Sequence, residues 1–273
     1  MKFLYVAELV GKAGIYALKK ALPELKRRRG IDFTLVCADG VTGGNGLGRN
    51  HAAYIRKLGA DAITTGECCF YKKDLVENWP KLPYVLRPCN LGAASPGFGR
   101  RVFNRDSPCP VAVLVLLGTN FNRLRVNNPF EDLKSLLEKL RSETPYVIVD
   151  FHAWASGEKR TFFAAAAGLC TAVIGSHNRV QTTDEEVLPG GTAVICDAGR
   201  TGSAESVGGT DTAERIREYL TGIPNWTREA WDKPELQGVI VEAGGDGRAL
   251  SIERLRIPVP APAAAVERGA GDV

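Results

Sequence analysis

Two apolar, β-branched runs in this chain end in histidine, and that repeat constrains the fold more than any other feature. Tyr146-Val-Ile-Val149 leads through Asp150 and Phe151 to His152, and Ala172-Val-Ile-Gly-Ser leads to His177. Such runs read as strands buried on both faces, which run through the middle of α/β sheets. Open α/β folds place their ligands at the carboxyl ends of these strands. Only three histidines occur, and two of them take this position. Either alone reads as a core or capping histidine; the pair reads as one shared site.

The first half repeats the pattern with acids. Residues 3–8, 33–39 and 62–67 read as strands ending in Glu8, Asp39 and Glu67. Residues 84–87 read as a further strand, and 111–117 as a central one. Ile15, Leu18, Leu22 and Leu25 have helical spacing, and Gly30 closes that helix. Asn50 is expected to cap a short helix carrying Ile55 and Leu58, with His51 as a surface residue without a role. Asn128-Pro-Phe-Glu131 has the residues of a helix start, with Leu133, Leu136, Leu137 and Leu140 as its buried face. Residues 156–168 and 211–220 read as helices, 188–191 as a turn and 192–196 as a strand. Residues 238–242 and 250–257 read as a hairpin around 244–247. Residues 1–257 are expected to form one domain, and the proline- and alanine-rich stretch 258–273 a disordered tail.

Composition excludes several classes. With 44% hydrophobic and 24% charged residues over 273 positions, a core of ordinary size can form without a staple. The net charge of +4 is spread along the sequence and carries no specific nucleic-acid signal. The densest basic run, Lys26 to Arg29, complements a helix C-terminus. No run approaches a membrane span, and the N-terminus is charged too soon for a signal peptide. Seven cysteines without a Cys-x-x-Cys pair suggest neither a disulfide framework nor a zinc knuckle, and point to the cytoplasm. Cys37, Cys170 and Cys196 lie in apolar runs and read as small buried hydrophobes. The glycines at 44, 46 and 48 have the wrong register for a dinucleotide loop. They read as a loop that lets backbone approach a ligand.

If the sheets gather their strand ends, Glu8, Asp39, Glu67, His152 and His177 meet in one cleft. That mixture suits manganese, iron or zinc better than calcium or magnesium. Two such ions about 3.5–4 Å apart can clamp a phosphate and activate a water.

The order of motifs supports this. Glu8-Leu-Val-Gly-Lys, Asp39-Gly-Val-Thr-Gly-Gly, Thr65-Gly-Glu67-Cys68 with Lys72-Lys73, and Arg87-Pro-x-Asn90 occupy the first half. Asp150-Phe-His152-Ala, Ile174-Gly-Ser-His177-x-Arg179-Val-Gln-Thr and Leu188-Pro-Gly-Gly-Thr-Ala follow. Over nearly the whole chain the sequence resembles the YmdB-like bacterial branch of the calcineurin-type metallophosphoesterases. The resemblance implies an α/β fold, a four-layer α/β/β/α sandwich of two mixed β-sheets flanked by helices. It also implies a two-metal site, hydrolysis of phosphodiesters such as 2′,3′-cyclic nucleotides, and a homo-oligomer.

The site departs from the family pattern. The family has aspartate at the position of Glu8, glutamate at Asp39 and asparagine at Gly40. Its Asn-His pair, which includes the general acid, is here Glu67-Cys68, and its last ligand histidine is here Arg179. Two accounts stay open. In the first, the site is remodelled but alive: Glu8, Asp39, Glu67, His152 and His177 hold metal, Arg179 grips a phosphate, and Cys68 replaces the acid. In the second, Arg179 pairs with the acids and supplies lost metal charge, leaving a phosphate- or nucleotide-binding regulator. A single zinc site that uses Cys68 or Cys69 with the two histidines is a third reading. Persistence of carboxylates at 8, 39 and 67 favours the first. Trp154 reads as a packed aromatic in preference to a platform for a base.

Overall fold

Period-2 alternation along the strands sorts the apolar side chains into three layers. In Lys2–Val6 (β1), Phe3 and Tyr5 join one cluster while Leu4 and Val6 join another. In Phe33–Cys37, Phe33, Leu35 and Cys37 face the first cluster and Val36 the second. In Val111–Leu117, Val111, Val113 and Val115 enter the cluster shared with Phe3 and Tyr5, while Ala112, Leu114 and Leu116 enter a third. The middle layer is therefore sheet against sheet, and the outer two are sheet against helix.

The computed structural model describes residues 1–104, 109–120, 124–224 and 228–261. After β1 come Glu8–Leu9 (β2), Gly11–Arg29 (α1), Phe33–Cys37 (β3), Arg49–Lys57 (α2), Ala62–Thr64 (β4) and Lys73–Asn78 (α3). Val85–Leu86 (β5), Arg100–Phe103 (β6), Val111–Leu117 (β7), Leu133–Glu143 (α4), Tyr146–His152 (β8) and Ser156–Ala166 (α5) follow. Ala172–Ser176 (β9), Glu186–Leu188 (β10), Thr192–Ile195 (β11), Arg200–Ser203 (β12), Thr212–Thr221 (α6), Pro234–Ala243 (β13) and Ala249–Pro258 (β14) complete it.

One sheet runs β2-β12-β13-β1-β3-β4-β5, with β14 on the far edge of β13; the other runs β10-β11-β9-β8-β7-β6. Both are mixed: β1 is parallel to β3 and antiparallel to β13, and β7 is parallel to β8 and antiparallel to β6. The fold is the four-layer α/β/β/α sandwich. Among the described residues no helix is long and apolar enough to cross a membrane.

Several local expectations change. The strand expected over 3–8 breaks at Ala7, whose N–H donates to Gln237 O, so that Glu8 and Leu9 pair with β12 instead of continuing β1. Asn128 does not open α4; its side chain accepts from Phe130 N, and the helix starts after Asp132, which is left-handed at φ 56°. Gly48, not Asn50, precedes α2. His51 is half-buried and its Nδ1 lies 2.7 Å from Thr42 Oγ1, inside the glycine-rich loop. Pro258 ends β14, and Val259 N donates to Pro234 O; the tail expected over 258–273 lies from 262 onward outside the described residues. The short strands β6, β10 and β12 carried no strand signal of their own.

Candidate functional site

Strand register brings the two histidines together. β8 and β9 run parallel with His152 opposite Ser176, so His177 follows at the same sheet edge. Residues i and i+2 of a strand share a face, which puts Asp150 on the His152 side. Asp150 is buried and accepts from three hydroxyls: Tyr5 at 2.9 Å, Ser176 at 2.7 Å and Thr64. Burial lifts its pKa to about 6, and those hydroxyls pull the other way. Ionised, it only accepts, so Ser176 gives its proton to Asp150. Ser176 Oγ then receives one from His152 Nδ1, 3.0 Å away.

This relay fixes His152 with its Nε2 lone pair aimed into the cleft. His177 Nδ1 lies 3.1 Å from that nitrogen. Two nitrogens on one zinc-like ion, each about 2.0–2.1 Å from it, stand roughly 2.9–3.4 Å apart. Burial lowers the pKa of both imidazoles, that of His177 to about 3, and they stay neutral, as ligands must be. Glu67 Oε2 lies 3.7 Å from His177 Nδ1 and completes a cluster of potential ligands.

The loop bearing Glu67 is held by Asp39. Asp39 Oδ1 accepts from Gly66 N at 2.6 Å, and Oδ2 accepts from Cys68 N at 3.0 Å. Burial and the neighbouring Glu8 charge lift Asp39 to about 7. Gly66 must be glycine here, because a Cβ would stand 2.4 Å from the His152 ring. Cys68 is 5% exposed, and burial together with Asp39, Glu67 and Glu8 pushes its thiol pKa far up.

Glu8 and Arg179 form the other half. Arg179 Nε and Nη2 donate to Glu8 Oε1 at 2.9 and 2.7 Å. Nη2 also donates to Gly44 O and Nη1 to Gly208 O. Of five N–H groups on a guanidinium, one, on Nη1, has no acceptor among the described residues. The expected pairing of Arg179 with an acid is present, and most of its hydrogen-bonding capacity is committed to protein. Glu8 is 2% exposed, and its Oε2 has no hydrogen-bond partner. Gly40 makes room: a Cβ there would lie 2.7 Å from Arg179 Nη2 and 2.8 Å from Glu8 Oε1. The bare backbone at 40 and the arginine at 179 thus fit one another sterically.

The chain strains to present these groups. His177 and Arg179 have φ of 101° and 59°, among four non-glycine residues with positive φ in the described chain. Neighbours hold them. Arg200 Nη1 donates to Arg179 O, and Asn178 N donates to Asp197 Oδ2. Fully buried Lys159 bonds Ser176 O and Asp197 Oδ2 at 2.9 and 3.1 Å.

Among the described residues there are two groups of potential ligands, and they share His152: Glu67, His152 and His177, and Glu8, Cys37 and His152. The first fits a divalent ion, since two neutral imidazoles and a carboxylate suit zinc, manganese or iron. The second fits poorly: Glu8 Oε1 is already held by a permanent cation, although the orphaned Oε2 faces no donor. Asp39 belongs to neither group. The relay through Ser176 and Asp150 and the Lys159–Asp197 pair were missed at the sequence level. Strand parity from His152 was the signal available for Asp150. Cys37 was read as a core residue, and it packs as one while also flanking Glu8.

The YmdB-like protein family model matches residues 4–255. The chain is 32% identical to a 2′,3′-cyclic-nucleotide 2′-phosphodiesterase of Bacillus subtilis, over 94% of this chain and 97% of that protein. It is 31% identical to a putative phosphatase/phosphodiesterase of Mycoplasma pneumoniae, over 94% and 93%. The crystal structure of a hypothetical protein from Thermus thermophilus superposes with a TM-score of 0.88 at 27% identity, covering 95% of this chain and all of that one. That of a novel phosphatase from Mycoplasma pneumoniae gives 0.88 at 29%, over 94% and 93%. With the same fold and a match along nearly its full length, the chain belongs to the YmdB-like branch of the calcineurin-type metallophosphoesterases.

Proposed function

We propose that the chain is a metal-dependent phosphohydrolase acting on phosphodiesters such as 2′,3′-cyclic nucleotides. It uses one divalent ion, manganese, iron or zinc, and an arginine where the family resemblance implies a second ion. The reading rests on the 3.1 Å approach of His152 Nε2 and His177 Nδ1 beside Glu67.

Glu67, His152 and His177 would hold the ion. When bound, it supplies Lewis-acid polarisation of a phosphoryl oxygen. Asp150 and Ser176 keep the proton on His152 Nδ1, so that Nε2 stays a ligand. Asp39 anchors the Glu67 loop through two backbone N–H groups. Arg179 neutralises Glu8 and offers one remaining N–H to an anion. Cys68 keeps its proton and is a weak acid, so leaving groups that depart without protonation are turned over fastest.

Metal analysis of the purified protein, with a manganese-dependent assay on 2′,3′-cyclic AMP, tests this. About one ion per chain is expected, with His152→Ala abolishing both metal and turnover. A second reading, a phosphate- or nucleotide-binding regulator, is favoured by the Arg179–Glu8 pair and the poor acid at Cys68. Metal-free protein that binds nucleotide without cleaving it would establish that reading instead. On either reading the protein works in the cytoplasm as a homo-oligomer, which light scattering tests for the assembly.

A further inference from the structure

We propose that Trp154 is a stacking platform that selects an aromatic base next to the phosphate cleft. This rests on the phosphodiester reading above and adds the identity of the group attached to the phosphate. Trp154 stands two residues past His152, where β8 has left the sheet. It is 43% exposed, against the packed position expected of it. An indole left open to water gains little from burial, so its orientation needs another cause.

That orientation is set from three directions. Nε1 donates to Glu67 Oε2 at 3.3 Å. The ring centroid lies 4.2 Å from that of His177, at an interplanar angle of 42°. The backbone carbonyl accepts from Asn178 Nδ2 at 3.2 Å. An exposed aromatic is thus fixed against two members of the candidate metal cluster, with ring surface left open to solvent. A nucleotide whose phosphate sits at that cluster carries its base, one ribose away, toward the same ring. Every base has a π-face, so a base of either class can stack there. Stacking of this kind changes affinity by about 5- to 150-fold per base on alanine substitution. Val180, beside Arg179, and Tyr71, four residues past Glu67, are also exposed, so the segments bearing the site present further apolar surface.

The indole N–H also orients Glu67, so two roles must be separated. Binding is measured by calorimetry on manganese-loaded protein, without turnover, for adenosine 3′-monophosphate, ribose 5-phosphate and inorganic phosphate. Metal content is determined for each preparation. The wild type is expected to favour the adenosine nucleotide over ribose 5-phosphate. Trp154→Ala should collapse that preference by about 5- to 150-fold. Trp154→Phe, which keeps a ring and loses the N–H, should retain most of it. An unchanged ratio in Trp154→Ala overturns the platform, as does a wild type indifferent to the base. Loss of preference in Trp154→Phe to the same extent as in Trp154→Ala, in step with metal content, also overturns it and assigns Trp154 to positioning Glu67. Failure of the hydrolase reading looks different: nucleotide bound with the expected preference but never cleaved.

Discussion

Replacing Gly40 by asparagine tests whether the arginine and the missing side chain at 40 are one unit. A Cβ at 40 would stand 2.7 Å from Arg179 Nη2, 2.8 Å from Glu8 Oε1 and 3.0 Å from Leu9 O. The guanidinium must then leave Glu8, which is 2% exposed. Removing one partner of a buried ion pair costs about 3–5 kcal/mol. The Arg179 side chain is 20% exposed, which places this pair toward the lower figure. Gly40→Asn is therefore expected to cost about 3 kcal/mol, a fall in Tm of roughly 6–12 °C for a chain this size. Arg179→His should cost about as much, because it orphans the same carboxylate. In the double variant the guanidinium is already gone and the new Cβ meets only Glu8 and Leu9. The two costs then overlap, giving a coupling of about 2–3 kcal/mol in the double-mutant cycle. Denaturant unfolding of the four proteins reads it. The double variant also carries the residues that the family resemblance implies at both positions, so with manganese it should take up more metal per chain than the wild type. Costs that add to within about 0.5 kcal/mol would refute the steric argument. So would a Gly40→Asn protein as stable as the wild type.

Other outcomes follow from the site's supports. Ser176→Ala cuts the relay between Asp150 and His152 and should weaken metal binding about 10- to 100-fold, read by competition with a chromophoric chelator; undiminished affinity would remove the relay's role. Lys159→Met leaves Asp197, fully buried, without its cation and should cost about 3–5 kcal/mol in denaturant unfolding; a loss below about 1 kcal/mol would mean that the amides of Asn178 and Gly199, which donate to its two oxygens, suffice. Because Cys68 is a weak acid, bis-p-nitrophenyl phosphate, whose leaving group needs no proton, should turn over faster than 2′,3′-cyclic AMP at saturation. Equal rates would point to an acid elsewhere in the cleft.

What the sequence disclosed and withheld divides along a physical line. Tyr146–His152 and Ala172–Ser176 were legible because β-branched runs buried on both faces leave a local signature, and their parallel register then forces His152 beside Ser176. Glu8 was legible as a strand-end acid. Its strand was not, because the break at Ala7 depends on Gln237 and on β12, both distant in sequence. Asp39 kept its carboxylate, but both of its oxygens serve the backbone of the next loop, a use that residue identity cannot reveal. The link between Gly40 and Arg179 is steric and non-local, and each looked like a separate loss. Trp154 was misread because side-chain direction past the end of a strand no longer follows its alternation.

A guanidinium in place of an ion, as proposed above, changes what the cleft depends on. A bound ion leaves when ligands protonate or a chelator competes. Arg179 is tethered, keeps its charge at any working pH and is held by Glu8, Gly44 and Gly208. Charge compensation of Glu8 is thereby independent of metal supply. The Glu67–His152–His177 cluster differs, because both imidazoles are neutral and Glu67 is its one carboxylate. Adding a divalent ion there places net positive charge beside the Arg179–Glu8 pair, whose own charges cancel. That charge favours an anionic occupant, and the single negative charge of a phosphodiester matches it, with the remaining Arg179 N–H as a neighbouring donor. The same electrostatics serves cleavage and retention equally well. The feature that separates them is the proton for the leaving group, which Cys68, the group the resemblance puts in the acid's place, would supply poorly because burial and the neighbouring acids hold its proton.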